Sequence, residues 1–233
     1  MKTKMIFRTI VSFLFALLFI FLPLIVSGDY HWQQGWWYCL IVLVFTIISR
    51  VLGIRKNPDL ARERATFLAA EGVKEWDKKL LPYIVYYLPM LAMVVIGLDH
   101  RFGWSDFLPA LRSGFANGLG IGLFIGGYLI STWAFVENRF FSSVVRIQID
   151  RGHTVCDSGP YRWVRHPGYL GGIFIWLATP LILGSFWGFF PAIALIILYI
   201  IRTRLEDHTL QAELQGYADY ASKVRFRLFT GIW

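Results

Sequence analysis

An all-α membrane protein with about six transmembrane helices, ending in a helical hairpin and an amphipathic tail helix, is the fold class this sequence predicts. Three observations carry it. The chain is 56% apolar and 18% aromatic. Those residues are gathered into long runs rather than spread as a soluble core would need. Its lysines and arginines, which give a net charge of +8, fall almost wholly in alternate loops between the runs.

The first apolar run, Ile10 to Val26, follows Lys2, Lys4 and Arg8. A basic start before an apolar stretch also describes a signal peptide. This run is long, however, and no small-residue cleavage site stands out near Ser27-Gly28, so a retained helix is expected. The second run, Trp36 to Leu52, ends at Arg50 and Arg55-Lys56. In the charged stretch from Asn57 to Lys79, Asn57 is placed to cap a helix with Pro58 in its first turn; a surface helix and a solvated linker both fit. Trp76-Asp77 reads as an interfacial anchor ahead of the third run, Leu80 to Leu98.

The fourth run, Phe115 to Val136, follows Gly114 and carries Gly118, Gly122 and Gly126 at intervals of four, a face against which a neighbouring helix could pack closely. The spacing is not that of a dinucleotide-binding loop, and no strand precedes it. The fifth and sixth runs, Tyr169 to Leu183 and Phe186 to Ile201, flank Gly184-Ser185 and predict a hairpin. Each rises only about 22 Å against about 30 Å of hydrocarbon, and a crossing hairpin extended by its flanks is expected. Beyond Arg202, Leu210, Leu214, Tyr217, Ala221 and Val224 form one apolar stripe, and Gly216 is the place for a break.

With six crossings, every lysine and arginine except Arg101 and Arg112 lies on one side together with both ends of the chain. That bias places both termini in the cytoplasm, in what is expected to be a bacterial inner membrane, and explains the net charge without nucleic acid. His31 and His100 fall on the outer side as solvated residues. Cys39 lies in an apolar run and Cys156 in a polar loop, so no disulfide between them is expected, and neither the cysteine nor the histidine spacing matches a zinc or haem motif. The whole chain, 1–233, reads as one membrane domain, divided into transmembrane helices (1–136) and a C-terminal region that holds the chemistry-bearing residues (137–233).

Two polar segments stand out at the membrane face: Gly159 to Gly172, and Arg202-Thr203-Arg204-Leu205-Glu206-Asp207. Ionisable groups at such depths are costly and need a reason. Pro167 suits a first helical turn and holds His166 at its mouth, where free N–H groups attract an anion. Gly168, Gly171 and Gly172 leave room for a ligand or a helix. Arg202 and Glu206 share a helix face in the order less favourable to helix stability, so a ligand-facing role competes with an ordinary boundary role. Arg202 could clamp a carboxylate and Glu206 could accept from an amine or ribose hydroxyls. Gln148, His153 and Thr154 lie in the polar loop before these segments.

The run Gly159-Pro160-Tyr161-Arg162-Trp163-Val164-Arg165-His166-Pro167-Gly168-Tyr169, then a short hairpin, then Arg202-x-x-x-Glu206-Asp207, resembles the isoprenylcysteine carboxyl methyltransferase family, grouped with the phospholipid N-methyltransferases. Glu213-x-x-x-Tyr217-x-x-Tyr220 with Lys223 and Arg225 resembles the family's end. The resemblance covers residues 140–227; earlier residues match only as membrane helices. It implies a membrane methyltransferase that uses S-adenosylmethionine and a lipid-like or lipidated acceptor, a carboxylate or an amine. It carries cofactor binding onto Gln148, His153, Thr154, Val155, Cys156, Tyr161, His166, Pro167, Gly168, Tyr169 and Glu206, and catalysis onto Arg202 and Glu206. Asp207 stands where the family often has Glu. A nicotinamide-dependent sterol-type reductase, with Arg162 and Arg165 for a 2′-phosphate, and a non-catalytic protein of the same fold are the alternatives.

Overall fold

A computed structural model of the chain describes residues 16–59 and 70–233. The start of the first apolar run and the middle of the charged stretch after Asn57 lie outside the described residues. The described residues form helices joined by loops: α1 (Ala16–Ser27), α2 (Gln33–Lys56), α3 (Glu75–Phe102), α4 (Gly114–Glu137), α5 (Pro167–Leu183), α6 (Phe189–Glu213) and α7 (Tyr217–Lys223). This is the predicted all-α polytopic architecture. Three helices (α2, α3 and α4) are long and apolar enough to cross a membrane, and α1 and α5 are shorter apolar helices. A π-helical turn at Tyr83–Tyr87 interrupts α3 just after Pro82, which cannot donate a backbone hydrogen bond.

Three features of the C-terminal half matter for the site, and the second, the break at Gly216, is the one the sequence reading expected. The sixth run does not stop at the membrane face: α6 continues through Arg202, Glu206 and Asp207 to Glu213. One rigid rod therefore carries the hairpin and the polar segment together. The chain breaks at Gly216, which takes a left-handed φ of 81°, and α7 turns back. The apolar stripe of this tail faces protein: Leu210, Leu214, Tyr217, Ala221 and Val224 pack with Tyr220, Tyr161, Val155 and Cys156.

The glycines of α4 divide differently from the expected pattern. A side chain at Gly114, Gly118, Gly122 or Gly126 would meet nothing within 4 Å. The close approach uses the other face, where Gly120 meets Leu181 and Ile182, and Gly127 meets Gly171 and Ile175. Ser131 Oγ donates to the Gly168 carbonyl at 3.2 Å on the same face. This small-residue seam makes α4 and α5 the most extensively packed pair, and it sets the height of the α5 start.

At the opposite end of the hairpin, Gly184 closes α5 with a φ of 64°. The turn is pinned to the end of α3 by a buried carboxylate: Asp99 accepts from Ser105 N at 2.8 Å, from Ser105 Oγ at 2.5 Å and from Ser185 Oγ. His100, expected to be solvated, instead lies 3.0 Å from Asp29 and stacks on Trp32 at 4.0 Å between centroids. An apolar cavity of about 780 Å³ opens on this half between α3 and α6, lined by Leu88, Leu91, Val95, Trp104, Trp187 and Phe190 among others. It has no titratable lining and lies about 18 Å along α6 from Glu206, by the helical rise from Ala194.

The seam gives a paired test. Gly171→Leu would drive its side chain into Ser131 and the Gly127 carbonyl, and is expected to destabilise by about 1–3 kcal/mol or more. Gly122→Leu, which faces open space, should leave the melting temperature of the purified protein within error of wild type. Equal melting of the two variants would refute this assignment of faces.

Candidate functional site

The site is built where α5 begins, α6 ends and the loop between α4 and α5 folds over both. His166 holds the N-cap position of α5 with Pro167 as the first helical residue. Two backbone bonds fix that entry: Arg165 N donates to the Phe226 carbonyl and His166 N to the Arg227 carbonyl, both at 2.9 Å. The segment after α7 thus straps the start of α5 from behind.

Asp207 is fully buried and gathers the side chains around it. Arg165 donates to both of its oxygens, from Nε at 2.8 Å and Nη2 at 3.0 Å. Arg227 Nε and Gln211 Nε2 each donate to Oδ2 at 2.8 Å, and the Tyr217 hydroxyl donates to Oδ1 at 3.1 Å. His166 Nε2 stands 3.4 Å from the same Oδ1 and from the Tyr217 oxygen. Because the Tyr217 proton is spent on Asp207, the pattern assigns the ring proton of His166 to Nε2. Burial, helped by the Asp207 charge, holds the Tyr217 phenol far above its ordinary value, so Tyr217 is a donor here and never a phenolate.

One turn into α5, the Tyr169 hydroxyl donates to Glu206 Oε2 at 2.6 Å. The rings of His166 and Tyr169 lie 5.9 Å apart. Hence His166 and Glu206, forty residues apart in sequence, meet through Tyr169 on one side and Asp207 on the other. No lysine, arginine or histidine among the described residues forms an ion pair with Glu206. It is a half-buried carboxylate held by a neutral phenol.

Arg202 is committed elsewhere. Its Nε and Nη2 donate to Asp77 at 2.7 and 3.0 Å, and Nη2 also donates to the Ser143 carbonyl at 2.9 Å. The guanidinium carbon is 5.7 Å from the Tyr169 ring centroid. Asp77, expected as an interfacial anchor, is fully buried and accepts from Val145 N at 2.7 Å as well. The two-nitrogen edge through which Arg202 could clamp a carboxylate is therefore filled by the chain itself, which leaves Nη1.

The loop residues divide into scaffold and surface. Gln148 is buried; its amide donates to the Phe140 carbonyl at 2.8 Å and its oxygen accepts from Arg151 Nη1. His153 Nδ1 accepts from Gln148 N at 3.3 Å, and its ring packs on Phe140 in a tilted arrangement, 4.6 Å between centroids. These two residues hold the loop closed. Thr154 is exposed, whereas Val155 and Cys156 pack toward Tyr161 and Tyr217. Burial raises the Cys156 thiol above its ordinary value. Tyr161 is buried against Ala134 and Tyr220, and its carbonyl accepts from the Tyr220 hydroxyl at 2.7 Å. Burial is the main cause of its raised phenol, and the Glu206 charge adds to it. Gly168 lies under the Phe141 ring, which a side chain there would strike.

Asp77, Asp207, Tyr217 and Arg227 escaped the sequence reading as parts of this arrangement. An Asp beside the expected Glu carried one faint signal for Asp207; nothing near Asp77 pointed to a partner 125 residues away.

Burial first, then the charges of Arg146 and Arg151, lowers the His153 pKa from 6.5 to about 4. The unfolded chain takes up this proton more readily than the folded one. The contribution of neutral His153 is thus complete above about pH 6.5 and is lost as pH falls toward 4. Wild type should lose more thermal stability over that interval than His153→Gln, and parallel losses would exclude this histidine as the cause.

Residues 115–215 match the phospholipid methyltransferase family model. Over 65 residues, the chain is 38% identical to a protein-S-isoprenylcysteine O-methyltransferase of Schizosaccharomyces pombe, an alignment covering 28% of this chain. The chain thus spans about a quarter (27%) of the length of that curated relative. The matched segment contains the start of α5, the polar end of α6 and the loop folded over them, while Asp77 and the strap after α7 fall outside it. Residues 115–215 of this membrane protein are thus similar to the phospholipid methyltransferases, and a 65-residue stretch is similar to an isoprenylcysteine O-methyltransferase.

Proposed function

We propose that the chain is an S-adenosylmethionine-dependent methyltransferase acting on a lipid-like or lipidated acceptor at the cytoplasmic face of the membrane. Glu206 carries the reading: a half-buried carboxylate held by the Tyr169 hydroxyl, without a cationic partner among the described residues, next in sequence to the Asp207 that Tyr217 holds. A half-buried charge of that kind calls for a cation from outside the chain. S-adenosylmethionine offers two, an ammonium and a sulfonium, and aromatic walls favour such groups. In this proposal His166, Tyr169, Tyr161, Val155 and Cys156 contact the cofactor beside Glu206, with Pro167 and Gly168 shaping the start of α5 beneath it. Gln148 and His153 keep the loop in place, and Thr154 stands at its exposed edge.

When bound, the cofactor supplies a methyl group: an acceptor lone pair bonds to its carbon while the carbon–sulfur bond breaks, leaving the electron pair on sulfur. The protein contributes placement, since an in-line displacement gains most from fixed geometry. The α4–α5 seam and the C-terminal strap hold the start of α5, and α6 presents Glu206 and Arg202 from one rod. A carboxylate acceptor needs no base. An amine acceptor must lose a proton, and Glu206 or His166 Nδ1 is placed to take it. Arg202 can offer an acceptor one nitrogen, Nη1, rather than a fork.

The reductase alternative required Arg162 and Arg165 to receive a 2′-phosphate. Arg165 is buried, and each of its nitrogens already donates to Asp207 or to the carbonyls of Ala221, Val224 and Arg225. The methyltransferase match adds nothing in favour of that reading.

Glu206→Gln keeps the shape and removes the charge. Titration calorimetry with S-adenosylmethionine should show binding weakened about 10- to 100-fold, as for a lost charge-assisted contact, with unchanged elution of the purified protein. An unaltered dissociation constant would remove Glu206 from the site. The orientation is tested separately by Asp157→Cys in a Cys156→Ala background. An impermeant maleimide should label it only after the cells are permeabilised; labelling in intact cells would invert the topology.

A further inference from the structure

The same geometry assigns a task to Asp77, which lies outside the family-matched segment. Arg202 and Glu206 are four residues apart on α6, the spacing at which helical side chains reach one another. An arginine there would by default turn to Glu206. It does not, because Asp77 takes Arg202 Nε and Nη2 at 2.7 and 3.0 Å, and the Ser143 carbonyl takes the remaining Nη2 hydrogen at 2.9 Å. Among the described residues, Glu206 instead receives the Tyr169 hydroxyl. We propose that Asp77 is a positioning residue: by occupying Arg202 it keeps the Glu206 carboxylate open for the cationic cofactor. The inference rests on the function proposed above.

Asp77 is well held for this task. Val145 N donates to its Oδ2 at 2.7 Å, and Lys74 N donates to the Val145 carbonyl at 3.0 Å. Lys74 also pairs with Glu213 at the end of α6, at 2.6 Å. The segment from 74 to 77 is thus tied both to the loop and to α6, and Asp77 cannot drift from Arg202. Without the Asp77 charge, Arg202 loses the carboxylate to which it donates and lies beside a second one on its own helix. The pair that forms would compete with any cation for Glu206.

A residue that merely supports the fold predicts that damage accumulates. A residue that diverts Arg202 predicts rescue, because removing the arginine as well should reopen Glu206. The test measures S-adenosylmethionine binding by calorimetry for full-length wild type, Asp77→Asn, Arg202→Met, the double variant and Glu206→Gln. Asp77→Asn should weaken binding about tenfold or more, the scale of competition from a charge-assisted pair. The double variant and Arg202→Met should both bind within about threefold of wild type. Unchanged binding in Asp77→Asn, or a tenfold loss that persists in the double variant, overturns the proposal. Should Asp77→Asn not purify, the two proteins lacking Arg202 decide, since a tenfold loss in either has the same consequence. Wild type that does not bind would bring down the proposed function and this inference together. Binding lost in Glu206→Gln but untouched in Asp77→Asn would bring down this inference alone.

Discussion

A buried carboxylate, Asp207, organises the end of this molecule where α5 begins and α6 ends. Removing an aspartate from water is costly, and one arginine seldom offsets that cost alone. Here the cost is shared. Arg165 and Arg227 supply charge, while Tyr217 and Gln211 supply neutral donors. Each donor comes from a different stretch of chain: the entry to α5, the strap after α7, α7 itself and the next turn of α6. Any one of these stretches out of place would leave a buried charge short of donors. Asp207 thus converts an electrostatic penalty into a geometric requirement, and His166 stands within that requirement.

Next to this satisfied centre lies one that is left incomplete. Among the described residues, Asp77 is matched by Arg202, and Asp207 by two arginines, but Glu206 by a phenol. Three carboxylates crowd the ends of two helices, and the chain neutralises two of them. A network built only for stability has little reason to stop there. The Arg202–Glu206 spacing makes the point stronger, since the nearest available cation has been drawn to the other side.

How far the sequence discloses this depends on the range of each interaction. Helix order, the Gly184 turn and the Gly216 break are local, set by apolar runs and by residues that permit positive φ. Pro167 behind His166 fixes the α5 entry for equally local reasons. The convergence of the His166 and Glu206 segments was legible only because both carry ionisable groups at a membrane boundary. What could not be read is pairing over long separations. Asp77 looked like a boundary residue because its partner lies 125 residues away. The α4 glycines misled for a different reason: spacing of four identifies a smooth face, but both faces of α4 are smooth. Which one meets a neighbour depends on where Gly171 lies on α5.

The two ends of the α5–α6 hairpin now fit one argument. At its turn, Asp99 ties Ser185 and Ser105 together with neutral donors. At its open end, Asp207 and Asp77 fix α5 and α6 with arginines. Between them, the glycine seam holds α5 against α4 without long side chains that could slide. A hairpin clamped at both ends has little freedom to change the separation of Tyr169 and Glu206. The bond between those two residues, 2.6 Å in length, is therefore a consequence of the whole hairpin rather than a local choice. An active site that works by aligning two reactants benefits from such a frame, because small errors in placement cost more than any single contact returns. The polar residues in this membrane protein are thus of one kind in origin and two in use: most of them hold the frame, and Glu206 is what the frame presents.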